Sequence, residues 1–312
     1  MKSSPIFLLL LGALSSLFFS ATFLINKVIS NDGGHWFYSA SLRYFYTIFF
    51  LALLITGIKG WKYFKRVIAE YFTNIKFWTI SGTIGFGIFY AMICFAADYS
   101  PAWILVTTWQ LTIFASIFVL MLFGKKPSKS TFFCTFLVVL GISAVNLSHF
   151  ELSNPSSLLY SVLPVLIAAF AFPFGNQLVW EEKKKRDSAI LNNAFAKVFL
   201  LTLGSSPLWL LLFIFMDVGT PSKSQLINVA MISILSGIIA TSLFLYVRNK
   251  ADTISKIMIV DATISAEVIF TLLFEILFLN AVFPNMIGLF GIILTIVALI
   301  LMVYLDKSVI KN

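Results

Sequence analysis

Residues 5 to 25 read PIFLLLLGALSSLFFSATFLI, and they follow Lys2. A cation ahead of an apolar run and the small triplet Ser20-Ala21-Thr22 suggest a secretory leader, whose apolar core is about 7 to 15 residues. This run is longer than that and continues through Phe23, Leu24 and Ile25. It reads instead as a first membrane-spanning helix, which needs about 20 apolar residues. Nine further stretches of similar character follow, at about 36 to 57, 77 to 97, 101 to 123, 130 to 147, 157 to 179, 189 to 215, 226 to 247, 254 to 278 and 284 to 304.

Charge orders these stretches in a membrane. Of the 22 Lys and Arg residues, 18 fall in every other gap: Lys2; Lys59, Lys62, Lys65, Arg66 and Lys76; Lys125, Lys126 and Lys129; Lys183, Lys184, Lys185 and Arg186; Arg248, Lys250 and Lys256; Lys307 and Lys311. The opposite gaps hold Lys27 and Lys223, while Arg43 and Lys197 lie inside apolar stretches. Cytoplasmic loops carry such an excess of cations, so the pattern predicts ten spans with both termini inside. Trp36, Trp61, Trp78, Trp103 and Trp180 fall near stretch ends, where interfacial aromatic belts are expected, and Trp109 lies several residues inside the fourth stretch.

Composition agrees. The chain is 60% hydrophobic and 11% charged, against roughly 25% charged residues in soluble domains. The longest gap, from Ile58 to Lys76, leaves no room for a soluble catalytic or nucleotide-binding domain. The net charge of +9 is spread over the expected cytoplasmic loops, so it answers to lipid and topology rather than to nucleic acid. Cys94 and Cys134 both sit within apolar stretches and read as small core residues.

An offset of about 150 residues sets Asn26 on Asn176, Gly141 on Gly291, Gln110 beside Asp261 and Arg43 near Lys197. Five helices per half is an odd number, so two such halves must lie in opposite orientations, as in many secondary transporters. The expected fold is an all-α integral membrane protein. Its ten transmembrane helices form two inverted five-helix repeats, residues 5–147 and 157–304, within one membrane domain. Arg43 and Lys197 then lie at comparable depths of about 10 to 12 Å, at 1.5 Å per residue.

The five-plus-five pattern, the segment Ser41-Leu42-Arg43-Tyr44-Phe45 early in the second stretch and Leu273-Phe274-Glu275 late in the ninth are together similar to one known family. They resemble the ten-helix, EamA-like branch of the drug/metabolite transporter superfamily, and within it most the multidrug-resistance efflux group. The resemblance spans essentially the whole chain and implies export of a small organic compound. In that family the fourth helix of each repeat commonly carries a Pro ahead of a closing Glu. Here the matching positions hold Leu111 and Gly124 in the first half, and Ala262 and Glu275 in the second, so a role for that acid carries over to Glu275 alone.

From the residues themselves, Glu267 is the leading candidate. It lies about 16 Å along the ninth stretch from Lys256, near the middle of a roughly 30 Å hydrocarbon core. An ionised carboxylate there costs on the order of 3 kcal/mol, which makes Glu267 the expected proton-coupling group. Thr263, Glu267 and Thr271 follow i, i+4, i+8 spacing and form one polar stripe that should face the bundle interior. Asp261, Gln110, Trp109, Thr263, Thr271, Asn26 and Asn176 are candidate substrate-binding residues, with interhelical hydrogen bonding the competing role for the two Asn. Arg43 and Lys197 are candidate charge partners, for Glu267 or, in the case of Lys197, for Asp261. The small-residue series Gly12, Ser16, Ser20 and Ser233, Gly237, Thr241 read as close-packing faces. Pro164, Pro173 and Gly204 with Pro207 mark possible helix interruptions.

Other classes fit less well. The segment Gly124 to Ser130 lacks the second Gly and the Gly-Lys-Ser/Thr ending of a phosphate-binding loop, so ATP is not the expected energy source. His35 and His149, the two histidines, fall in expected outer loops, which argues against a metalloenzyme, and no cofactor or metal is expected. The sequence reading is a secondary active transporter, not an enzyme, exporting a drug or metabolite by alternating access with proton coupling. Its partners are the small-molecule substrate and membrane lipid. A channel or lipid scramblase without ion coupling, or a metabolite exchanger or importer, are the alternatives. Aromatic rings with an acid suit a lipophilic cation, whereas Arg43 and Lys197 suit an anion or zwitterion.

Overall fold

The computed structural model describes residues 5–125, 129–148, 155–186, 188–216, 218–251, 256–257, 260 and 263–305. Apart from short turns, the described residues are helical. The helices are α1 Pro5–Asn31, α2 Trp36–Lys59, α3 Trp61–Thr73, α4 Ile75–Ala97, α5 Ala102–Leu122, α6 Lys129–Ser148, α7 Pro155–Lys185, α8 Ala194–Phe215, α9 Lys223–Lys250, α10 Ala266–Leu279 and α11 Met286–Leu305. Seven of them, α1, α2, α4, α5, α7, α8 and α9, are long and apolar enough to cross a membrane. Shorter apolar segments, Phe132–Ser148 and Met286–Ala298, lie in α6 and α11.

Local chemistry sets many of the ends. His35 Nδ1 accepts from the Phe37 amide to start α2, Asn193 Oδ1 from the Ala196 amide to start α8, and Ser222 Oγ from the Gln225 amide to start α9. Gly60, at φ 81°, closes α2 and opens α3 in a backbone region that favours glycine. The interval from Ile58 to Lys76, expected as a loop, holds the amphipathic helix α3. Val67 and Tyr71 are buried on one side of it, while Trp61, Lys62, Lys65 and Arg66 are exposed on the other. Its Glu70 carboxylate accepts from Asn74 Nδ2 at 3.1 Å, Trp78 Nε1 at 3.2 Å and Arg186 Nη2 at 3.2 Å, which ties α3 to the end of α7.

The helices pack through glycine. A Cβ on Gly141 would stand 2.7 Å from the Gly291 carbonyl oxygen, and one on Gly291 would stand 2.8 Å from Val145 Cγ2, so α6 and α11 cross in near backbone contact. Likewise Gly82 of α4 faces Gly204 of α8, with 2.9 Å from a Gly82 Cβ to the Gly204 Cα. The small faces read from sequence do pack closely. Ser16 Oγ donates to the Thr263 carbonyl at 2.7 Å, and a Cβ on Gly237 would sit 2.7 Å from Thr47 Oγ1. Cys94 and Cys134 are free and buried.

The irregular turns fall away from proline. Residues 155–185 are one helix through Pro164 and Pro173, and 194–215 one helix through Pro207. Instead α4 contains a π-helical segment, Thr83–Ile88, and α9 contains another, Ser233–Ala240. The first residues of the two lie about 150 positions apart. Helix α5 is broken into Ala102–Trp109 and Leu111–Leu122 at Gln110, and a 3-10 turn, Thr263–Ser265, precedes α10. Of the tryptophans near the ends of the apolar stretches, Trp78 and Trp103 are buried within the bundle: Trp78 Nε1 donates to Glu70, and Trp103 sits where α5 starts against α10.

Candidate functional site

Helices α1, α2, α4, α5, α7, α8, α9 and α10, together with the turn before α10, line a narrow, partly open central cavity of about 30 Å³. Seven of its 17 described lining residues are aromatic. Phe89 of α4 lies 5.0 Å from Trp109 of α5 and 4.9 Å from Phe172 of α7, centroid to centroid, and Phe172 lies 5.9 Å from Phe244 of α9. On the other side Tyr44 of α2 stacks on Trp209 at 5.4 Å and on Phe86 at 5.9 Å, with its hydroxyl donating to the Phe86 carbonyl at 2.8 Å. Apolar, aromatic walls around a few polar groups are the usual build of a small-molecule site.

Two ionisable side chains reach this cavity from opposite parts of the chain. Arg43, 4% exposed, lies over the Tyr90 ring with 3.8 Å from its guanidinium carbon to the centroid, and its Nη2 donates to Ser236 Oγ at 2.9 Å. Its Nε and Nη1 have no hydrogen-bond partner among the described residues. The α2 backbone is fixed beneath it, because Ser233 and Thr47 hydroxyls both donate to the Arg43 carbonyl, at 3.0 and 2.7 Å. Gly237 leaves room for the side chain: a Cβ there would come within 3.6 Å of Arg43 Nε. Glu267, 2% exposed, enters in the first turn of α10, and its Oε2 has no hydrogen-bond partner among the described residues. Among the described residues the ion pairs are Lys125–Glu181, Arg186–Glu70 and Arg186–Glu182, so Arg43 and Glu267 share a cavity without forming a salt bridge.

The other residues singled out from sequence are dispersed. Trp109 lines the central cavity. Gln110, at the break in α5, is buried beside it; its Nε2 donates to the Val106 carbonyl at 3.1 Å and its Oε1 is unbonded. Thr263 donates to the Val260 carbonyl at 2.6 Å, and Thr271 is buried with its Oγ1 unbonded. Asn26 donates to the Tyr90 hydroxyl at 3.0 Å, behind Arg43. Asn176 donates to the Phe172 carbonyl at 3.0 Å and lines two smaller cavities. Lys197, 3% exposed, lies in one of those and not in the central one. Asp261 lies outside the described residues. Glu275 accepts from the Ala102 and Trp103 amides at 3.0 and 2.7 Å, closing the start of α5. The rings Phe86, Phe89, Tyr90 and Phe172 and the hydroxyl of Ser236 are site residues that sequence reading did not single out, for their types recur throughout the chain.

The cavities form a series. A second one, of about 10 Å³, shares Phe172 and Ile264 with the central cavity. A third, of about 20 Å³, shares Asn176 and Arg248 with the second and opens among the cations at the end of α7.

Comparison with known proteins agrees with this architecture. The family model described as "EmrE: Putative multidrug resistance efflux transporter" matches residues 6–308. The chain is 35% identical over 309 residues to "Uncharacterized protein YjlA" of Bacillus subtilis (strain 168), covering 94% of this chain and 93% of that one. It is 34% identical over 254 residues to "Uncharacterized 42.1 kDa protein in intracellular alkaline protease 3'region" of Shouchella clausii, covering 78% of this chain and 65% of that one. A solved chain, "Crystal structure of protein", superposes with a TM-score of 0.67 at 12% identity, covering 99% of this chain and 100% of that one, a likeness of fold alone. With long apolar helices around a cavity lined by aromatic rings and a family match over nearly its whole length, the chain belongs to the EmrE-like multidrug resistance efflux transporters of the drug/metabolite transporter superfamily and is a multi-pass integral protein of the cell membrane.

Proposed function

We propose that the protein is a proton-coupled secondary transporter that exports a small organic compound by alternating access, with the central cavity as its substrate site and Glu267 as its coupling carboxyl. The observation that carries this reading is the pair of buried ionisable groups, Glu267 and Arg43, that face one aromatic cavity with hydrogen-bonding atoms still unsatisfied. Inside a membrane such groups are expensive and mark substrate or proton routes. Phe172, packed between Phe89 and Phe244, stands between the central cavity and the next, as a carrier's gate would and an open pore would not. Ten spans in two inverted repeats, 5–147 and 157–304, with both termini inside, complete the proposal. Supporting it, the π-helical segments of α4 and α9 begin about 150 residues apart, and Gly141 and Gly291, related by that same offset, face each other where α6 and α11 cross.

The test is uptake of lipophilic cations, amino acids and nucleobases into inverted membrane vesicles under an imposed pH gradient. Accumulation of one class that collapses with the gradient, and is absent in Glu267→Gln vesicles holding normal amounts of protein, is the expected result. Wild-type accumulation by well-folded Glu267→Gln would remove the acid from the coupling step.

A further inference from the structure

A wider cavity, of about 440 Å³, lies where α1, α6 and α10 end and α5 begins. The Tyr99 ring, just ahead of α5, lies 5.1 Å from that of Tyr160 near the start of α7, so this is the opposite end of the bundle from Lys183, Lys184 and Lys185. Its size falls within the roughly 300 to 1,000 Å³ of small-molecule sites. Lys27 of α1 and Glu275 of α10 both line it, and among the described residues they form no salt bridge with each other. Lys27 Nζ donates to the Ala97 carbonyl at 3.3 Å, which occupies one of the three donors of an ammonium group. The two Glu275 oxygens accept the Ala102 and Trp103 amides, which fix the carboxylate and leave each oxygen a second lone pair. A positioned cation and a positioned carboxylate thus share one space without touching. Beside them the wall turns apolar. Val282 and Phe283, on the segment after α10, also line the cavity and are 86% and 61% exposed.

We infer that this cavity binds a phospholipid of the ethanolamine type, with its phosphate on Lys27, its ammonium on Glu275 and its acyl chains along Val282 and Phe283. The headgroup carries both charges that the wall complements, and each meets its partner in a charge-assisted hydrogen bond. A choline headgroup has methyl groups in place of the ammonium hydrogens and has nothing to donate to Glu275. A glycerol headgroup satisfies Lys27 but brings a net negative charge up to the carboxylate. In the orientation proposed above, the lipid belongs to the outer leaflet. The site shares no lining residue with the central cavity among the described residues, and the assignment does not depend on transport or on proton coupling.

Thermal unfolding of the purified full-length protein tests it, in phosphatidylcholine nanodiscs with a fixed share of the lipid replaced by phosphatidylethanolamine or by phosphatidylglycerol of the same acyl chains. Phosphatidylethanolamine is expected to raise the melting temperature of the wild type by several degrees, and phosphatidylglycerol by much less. Lys27→Gln should lose most of that gain, which separates a bound headgroup from a change in the bulk bilayer. Lys223→Gln, at an exposed cation expected on the same side of the membrane, should respond as the wild type does. No gain from phosphatidylethanolamine overturns the site, as does an equal gain from phosphatidylglycerol or an undiminished gain in Lys27→Gln. Val282→Asp, which sets a carboxylate against the acyl chains at an exposed position, is held to the same criterion and decides the matter if Lys27→Gln fails to fold.

Discussion

Replacing Arg43 by Met removes a buried charge while keeping an unbranched side chain of similar reach. The loss has two parts. The charge-assisted hydrogen bond to Ser236 contributes about 1.5 to 3 kcal/mol. The stacking of the guanidinium on Tyr90, 3.8 Å from the centroid, contributes about 2 kcal/mol where desolvated. Against these stands the desolvation of an ion that has no salt-bridge partner among the described residues, several kcal/mol in a protein interior. Ser236 is not orphaned by the change, since it also accepts a hydrogen bond from Thr22. The opposing contributions are of like size, so Arg43→Met should alter the unfolding free energy by no more than about 2 kcal/mol. Had Arg43 been locked to a buried carboxylate, its removal would cost roughly 3 to 5 kcal/mol. Unfolding by SDS in mixed micelles distinguishes the two, and vesicle transport measured on the same preparations should be lost despite the retained fold. A destabilisation of 3 kcal/mol or more would refute the reasoning and make Arg43 a structural ion-pair partner.

Two further outcomes follow from other contacts. Glu275→Ala should destabilise the protein by about 1 to 3 kcal/mol, because the Ala102 and Trp103 amides lose their acceptor inside the bundle, and Glu275→Gln, which keeps one carbonyl oxygen, should recover part of it; equal stability of all three in detergent melts would show that the contact contributes nothing. For topology, in a background lacking Cys94 and Cys134, a cysteine at Ser188 should be shielded from an impermeant thiol reagent outside the cell and one at Ser222 should react; labelling of Ser188 from outside would reverse the assigned orientation.

Helix positions were legible because span length and loop charge are one-dimensional quantities. The stretches expected at 36 to 57, 77 to 97 and 101 to 123 appear as Trp36–Lys59, Ile75–Ala97 and Ala102–Leu122. Helix α3 was not found, since five cations between Lys59 and Lys76 look like a loop until Val67 and Tyr71 are seen turned to one side. Asn26 and Asn176 fall inside α1 and α7, because both helices run on past the apolar stretches expected at 5 to 25 and 157 to 179. Arg43 and Glu267 were conspicuous as rare charges among apolar residues. Their having no salt bridge among the described residues was not, since it depends on which neighbours tertiary packing supplies. The aromatic wall was the least legible part: with 34 Phe in the chain, nothing local separates Phe89 or Phe172 from a ring that faces lipid.

Helices α4 and α9 each contain a stretch in which the backbone bonds skip one residue more than in the rest of the helix. Such a stretch holds slack. Its amides can exchange one acceptor for the next in line without any donor being bared to hydrocarbon, where an unbonded one costs several kcal/mol. A helix bent at proline has a fixed crook, whereas a helix with slack can twist one end against the other while remaining hydrogen-bonded throughout. Phe86 lies within the slack of α4 with Phe89 at its edge, and Ser236 and Gly237 lie within that of α9. The parts of the cavity wall that hold Tyr44 and Arg43 are therefore also the parts of the backbone most easily wound and unwound.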